Sequence, residues 1–126
     1  VPAMSKESKL ARNEKGAYLL TPESEDYQVF LWKAVKYINE QSDSKYHFFP
    51  VNVTKAERLL VSGDLYTFEF EVVETGESKE AITHEQLRSS SPPPKEGAKR
   101  HVYEVKIWSK PWMDFEEYTI VNSKEI

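Results

Sequence analysis

TPESEDYQVFLWKAVKYINEQSDSKYHFFPVNV, residues 21–53, changes its hydrophobic period once, and that change decides the fold class. In its first part Tyr27, Phe30, Leu31, Ala34, Val35 and Ile38 recur at helical spacing and line one stripe, with Gln28, Lys33, Lys36 and Glu40 mainly elsewhere. Thr21 or Ser24 is placed to cap the start, Pro22 suits a first turn, and Glu23, Glu25 and Asp26 complement the positive helix end. Ser42-Asp43-Ser44 supply the breakers that stop it. Beyond them the spacing drops to two through Phe49, Val51 and Val53. A helix with one apolar stripe is followed by a strand with one apolar face.

The same period of two continues in LYTFEFEVV, residues 65–73, where Tyr66, Phe68, Phe70 and Val72 alternate with Thr67, Glu69 and Glu71. LLVSGD, residues 59–64, carries Ser-Gly-Asp turn chemistry between these strands, which predicts a hairpin with Leu59, Leu60 and Val61 at its tip. Further on, HVYEVKIW (101–108) alternates Tyr103, Val105 and Ile107 against Glu104 and Lys106, SKPWMD (109–114) turns, and FEEYTIV (115–121) adds a strand with Tyr118 and Ile120 on one face. Trp108 continues the alternation on the face of Glu104 and Lys106, so strand packing accounts for it. Trp32 and Tyr37 flank the helix stripe as margins of the core. Residues 75–99, including SSSPPP at 89–94, hold no period and read as a long loop; residues 1–15 read as a flexible N-terminal tail. These elements predict an α+β domain over residues 16–126, one long helix packed on a four- to five-stranded antiparallel sheet.

A chain of 126 residues supports one core without metals or crosslinks, and it contains no cysteine, so disulfides, thiol nucleophiles and Cys-based zinc sites are all excluded. With 17 basic against 21 acidic residues, a net charge of -4 argues against nucleic acid or an anionic membrane as partner. No apolar run approaches the roughly 20 residues that span a bilayer, and VPAMSKESK lacks the apolar centre of a signal peptide. His47, His84 and His101 show no metal-ligand spacing and are expected at the surface; no metal or other cofactor is implied. Ser89 to Ser91 form no nucleophile elbow, the carboxylates Glu116, Glu117 and Glu125 are expected to face solvent, and no nucleophile, base and orienting group can be assembled. The chain does not read as an enzyme.

What remains unexplained is apolar surface on turns. Leu59, Leu60 and Val61 stand at one tip, and Trp112 follows Pro111 at the other, where proline cannot extend a ladder. The turn context alone leaves two placements for Trp112, folded back over the sheet edge or presented to a partner. If both tips lie at the same end of the sheet, they form one apolar edge suited to docking.

In Gly16, the YINEQSDSKYH stretch, LLVSG at the first hairpin and Pro111-Trp112 at the second, the chain resembles the cystatins, reversible protein inhibitors of papain-like cysteine proteases, over about residues 16–121. The KRHVYEVKIWSKPW stretch is most similar to cystatins of parasitic nematodes. The resemblance implies a wedge of three parts, with Gly16, the first hairpin (Leu59, Leu60, Val61, Ser62, Gly63) and the second (Pro111, Trp112) binding in the protease cleft. Glu14 and Lys15 would then lie in the non-primed subsites, and cathepsins L, B and S would be typical partners. It also implies a secreted protein in its mature form, with a cytoplasmic location as the alternative. The chain would act as a monomer with some tendency to domain-swapped dimers, because β-branched Val61 suits a tight turn poorly.

The sequence departs from the family in several places. Leu59 and Ser62 stand where the family has Gln and Ala in Gln-Val-Val-Ala-Gly, and the paired glycine at the N-terminal segment is reduced to Gly16. The disulfides of secreted cystatins are absent, yet the long stretch 75–99 and Pro111-Trp112 are unlike the cytoplasmic type. The Asn through which some members inhibit legumain-like proteases falls at Asp43, so that activity is not expected. Asn52-Val53-Thr54 is a glycosylation sequon within a strand. Leu59 and Ser62 also motivate an alternative, a cystatin-fold binding or immunomodulatory module with weakened or lost protease inhibition.

Overall fold

The computed structural model describes residues 16–126. The anticipated tail, with Glu14 and Lys15, lies outside them. The elements run β1 (Tyr18–Leu19), α1 (Glu25–Gln41), β2 (Tyr46–Val61), β3 (Gly63–Ser78), α2 (His84–Ser90), β4 (Arg100–Lys110), a single 3-10 turn (Pro111–Met113) and β5 (Phe115–Glu125). The five strands form one antiparallel sheet in sequence order, and α1 lies across its inner face.

The helical stripe packs as its spacing requires. Tyr27, Leu31, Ala34, Val35 and Ile38 are buried against Tyr66, Phe68, Phe70, Val72, Val105 and Ile107 of the sheet. Phe30 stacks on Tyr66 with ring centroids 3.8 Å apart, and Tyr37 stacks on Tyr118 at 5.0 Å. Trp32 goes deeper than a margin: it is buried, edge-on to Phe49 at 5.5 Å. Ser24 is the N-cap, but its hydroxyl accepts from the Thr21 N–H at 3.2 Å instead of capping the helix. Near the other end Asn39 is buried and bonds both backbone groups of Phe48, donating to its carbonyl (3.2 Å) and accepting from its N–H (2.7 Å). That exchange ties α1 to the start of β2, next to an irregularity in the β2–β3 ladder between Tyr46 and Phe48 where the Thr75 hydroxyl donates to the His47 carbonyl at 2.8 Å.

Three further sequence expectations are corrected. Two further ladder irregularities, between Pro50 and Asn52 and between Val53 and Lys55, shift the phase of β2, so Val51 is exposed while Phe49 and Val53 pack at the core. The polar stretch from Thr75 to Lys99 is only partly loop: β3 runs through Ser78, and α2 follows with a capping box in which Thr83 and Gln86 bond reciprocally. Its Leu87 is fully buried, so this stretch does feed the core. Finally His47 is not a surface residue. The chain before α2 folds over it, and its Nε2 donates to the Ile82 carbonyl at 2.9 Å.

Candidate docking edge

One end of the sheet collects both hairpin tips and the start of β1. Pairing of Tyr18 with Arg58 and of Leu19 with Glu57 runs β1 antiparallel to β2, and continuing that register sets Gly16 level with Leu60. The β2–β3 ladder closes through Leu59–Leu65, Leu60–Asp64 and Val61–Gly63, leaving Ser62 alone at the apex. The β3–β4 ladder ends at Asp64–Ser109, and β4–β5 at Lys110–Phe115, so the 3-10 turn carrying Pro111 and Trp112 lies beside the first tip. Gly16, Leu59 to Gly63, Pro111 and Trp112 thus share one end. Asp43, between α1 and β2, lies at the other.

The local geometry explains why these residues can be exposed. Leu59 to Val61 belong to extended strand and only Ser62 is the turn; Gly63 takes the positive φ of 88° that closes it. A Cβ at Gly63 would stand 2.3 Å from the Ser109 carbonyl oxygen, so this glycine also permits the close approach of β3 to β4. Leu60 is 54% exposed, Val61 46% and Trp112 65%. Trp112 is therefore turned outward and is not folded back over the sheet edge. Pro111 opens the 3-10 turn and Asp114, at φ 49°, closes it in the left-handed region, donating its N–H to the Pro111 carbonyl at 3.0 Å.

Polar contacts hold this edge to the body. Arg58 bonds Asp64 (2.9 Å) across the first hairpin and Asp26 (3.2 Å) on the first turn of α1, while the Tyr66 hydroxyl donates to Asp26 at 2.8 Å. Burial, then the hydrogen bond to Asp26, pushes the Tyr66 phenol far above its ordinary range. On the same side Lys33 of α1 pairs with Glu116 of β5, which also accepts from the Tyr118 hydroxyl (2.6 Å). Burial alone would raise the Glu116 carboxyl, but the bonds from Lys33 and Tyr118 outweigh it and set it below the usual carboxylate value.

Several contributors escape a reading of the sequence. Met113 is 61% exposed beside Trp112, as its place in the turn could have suggested. Trp108 does pack in its strand, edge-on to Phe115 at 5.6 Å, but its indole N–H also donates to the Ser62 carbonyl at 2.8 Å. Behind the tips, Val61, Leu65, Lys106, Trp108, Glu117 and Thr119 line an open, largely apolar groove of about 270 Å³. Among the described residues no group of three or more His, Asp or Glu is disposed to hold a metal ion.

One long helix packed on a five-stranded antiparallel sheet, with two apolar hairpin tips at one end, is the architecture that comparison with known proteins finds in one family. The model of the cystatin domain matches residues 17–124. A cystatin of Caenorhabditis elegans, cpi-1, is 31% identical over 93 residues, covering 73% of this chain and 67% of its own length. Onchocystatin of Onchocerca volvulus is 27% identical over 126 residues, covering 95% of this chain and 76% of its own. Among solved structures, that of Al-CPI superposes with a TM-score of 0.74 at 24% identity, covering 88% of this chain and 99% of that one. Dimeric human cystatin F superposes at 0.69 with 15% identity, covering 100% and 98%. The chain belongs to the cystatin family, whose members are in general inhibitors of cysteine proteases and not enzymes. Its nematode relatives agree with the resemblance carried by the KRHVYEVKIWSKPW stretch.

Proposed function

We propose that this chain is a reversible, competitive inhibitor of papain-like cysteine proteases such as cathepsins L, B and S, and that it enters the active-site cleft with Gly16, Leu59 to Gly63 and Pro111-Trp112. One observation carries the reading: the exposed side chains of Leu60, Val61 and Trp112 sit on two closed hairpins joined by a hydrogen bond. Rigid apolar turns lose little entropy on binding, so burying them leaves more of the gain as affinity. No scissile peptide need be offered, because the wedge only has to cover the catalytic groups. Leu59 lies half-buried opposite Leu65, so its departure from the family's Gln leaves the tip at Ser62 geometrically intact. The activity would be exerted outside the cell, as is typical of cystatin homologues.

The unit proposed for this activity is the monomer, and opening of the first hairpin beside β-branched Val61, which pairs with Gly63 around Ser62, would give a domain-swapped dimer. Titration of papain tests the reading. Trp112→Ala should weaken inhibition by roughly 30-fold, equivalent to about 2 kcal/mol for a central aromatic anchor, and removal of residues 1–16 should weaken it further. No inhibition at micromolar protein, or unchanged inhibition by the truncated Trp112→Ala variant, would refute it and favour a binding module on the same fold.

A further inference from the structure

The two hairpins that form the docking edge are joined at their base by the β3–β4 ladder, which ends at Asp64 and Ser109. Beyond that pair the first tip, Val61 to Gly63, has no further ladder bond to β4. Only the apex residue, Ser62, stands outside both ladders, so nothing in the backbone pairing ties it to the turn that carries Trp112. One side chain supplies that tie. Trp108, three residues before Pro111, donates its indole N–H to the carbonyl of Ser62, 46 residues away in the chain, at 2.8 Å. Its ring is clamped in turn, with the Lys110 ammonium 4.0 Å from the ring centroid and Phe115 edge-on at 5.6 Å and 82°. The donor is thus held by a side chain from each strand of the second hairpin's stem, Lys110 of β4 and Phe115 of β5, while it grips the apex of the first.

We propose that Trp108 is a positioning residue of the docking edge: its indole N–H fixes the Ser62 apex at a set offset from Pro111-Trp112, so that both tips enter a protease cleft as one rigid piece. The proposal rests on the inhibitory reading above and adds to it a residue that need not touch the protease. Indole suits the task because it combines a wide ring that can be clamped with a single donor and no acceptor. Phenylalanine would fill most of the same space and leave the Ser62 carbonyl to water.

Trp108→Phe tests this directly. It should weaken inhibition of papain by about tenfold, and the loss caused by Trp112→Ala should be smaller in the Trp108→Phe background than in the wild type, because an edge already out of register gains less from its anchor. A role in stability alone would leave the two losses multiplicative. Hydrogen exchange of the free wild-type protein supplies a second measurement: the Trp108 indole proton should exchange at least tenfold more slowly than that of Trp112. Equal inhibition by Trp108→Phe and wild type, multiplicative losses, or equal exchange of the two indole protons would each overturn the proposal. A wild-type chain that fails to inhibit papain would instead overturn the inhibitory reading, while slow exchange of the Trp108 proton would still identify the bond between the hairpins.

Discussion

Two glycines at the docking edge share a positive φ and differ in what surrounds them. At Gly63 a Cβ would meet the Ser109 carbonyl oxygen at 2.3 Å, and backbone on both sides of the contact belongs to a paired ladder that cannot yield. At Gly16, with φ of 83°, a Cβ would meet nothing within 4 Å. Gly63→Ala should therefore cost roughly 3 kcal/mol of stability, while Gly16→Ala should cost about 1 kcal/mol or less and act chiefly on the direction in which the preceding chain leaves β1. Thermal unfolding of the two variants checks this, and equal losses would mean that the close β3–β4 approach is not what requires Gly63. Sequence alone ranks these residues differently. Gly63 reads as turn chemistry and Gly16 as a tail boundary, because a clash with a residue 46 positions away has no local signature.

At the scale of elements, α1 and the two hairpins were legible because their periods are sustained over many residues, whereas α2 offers seven residues and one buried side chain, Leu87. Its signal was the Thr83-x-x-Gln86 capping box, easily lost within a polar stretch. Leu87→Ala should cost about 3 kcal/mol, a loss that a free loop would not show. The start of α2 also carries a pH dependence. His84 lies edge-on to Trp32 at 5.8 Å, with Lys36 of α1, His47 of β2, and Glu85 and Arg88 of α2 around it. Burial lowers its imidazole below the usual 6.5; Glu85 opposes this, and Lys36, His47 and Arg88 add to it. The unfolded chain therefore takes up this proton first, so the contribution of neutral His84 is complete above about pH 6.5 and is lost as the pH falls below it. The melting temperature should drop more steeply between about pH 7 and pH 5 for the wild type than for His84→Gln, and parallel curves would contradict this assignment.

Over the whole molecule, the sheet packs on one long helix, α1, and the exposed apolar side chains of Leu60, Val61, Trp112 and Met113 gather at one end. The sequence announced that cluster, since Leu59 to Val61 and Trp112 sit where turn residues were expected to be polar. It did not announce how the two tips are joined, because Trp108 alternates correctly in its strand and its contact with Ser62 depends on strand order. The Arg58 bonds to Asp26 and Asp64 were equally hidden, each partner being an ordinary charge in its own segment. Together these contacts turn separate loops into one surface anchored to the core. If that surface enters a protease cleft, the small substrates of the protease and this chain must exclude one another. Steady-state hydrolysis of a small peptide substrate by papain, measured at several concentrations of the wild-type protein, tests this most directly. The apparent KM should rise in proportion to the added protein with the maximal rate unchanged, and the chain should be recovered uncleaved. A falling maximal rate at constant KM, or steady cleavage of the chain, would contradict a wedge seated in the active site.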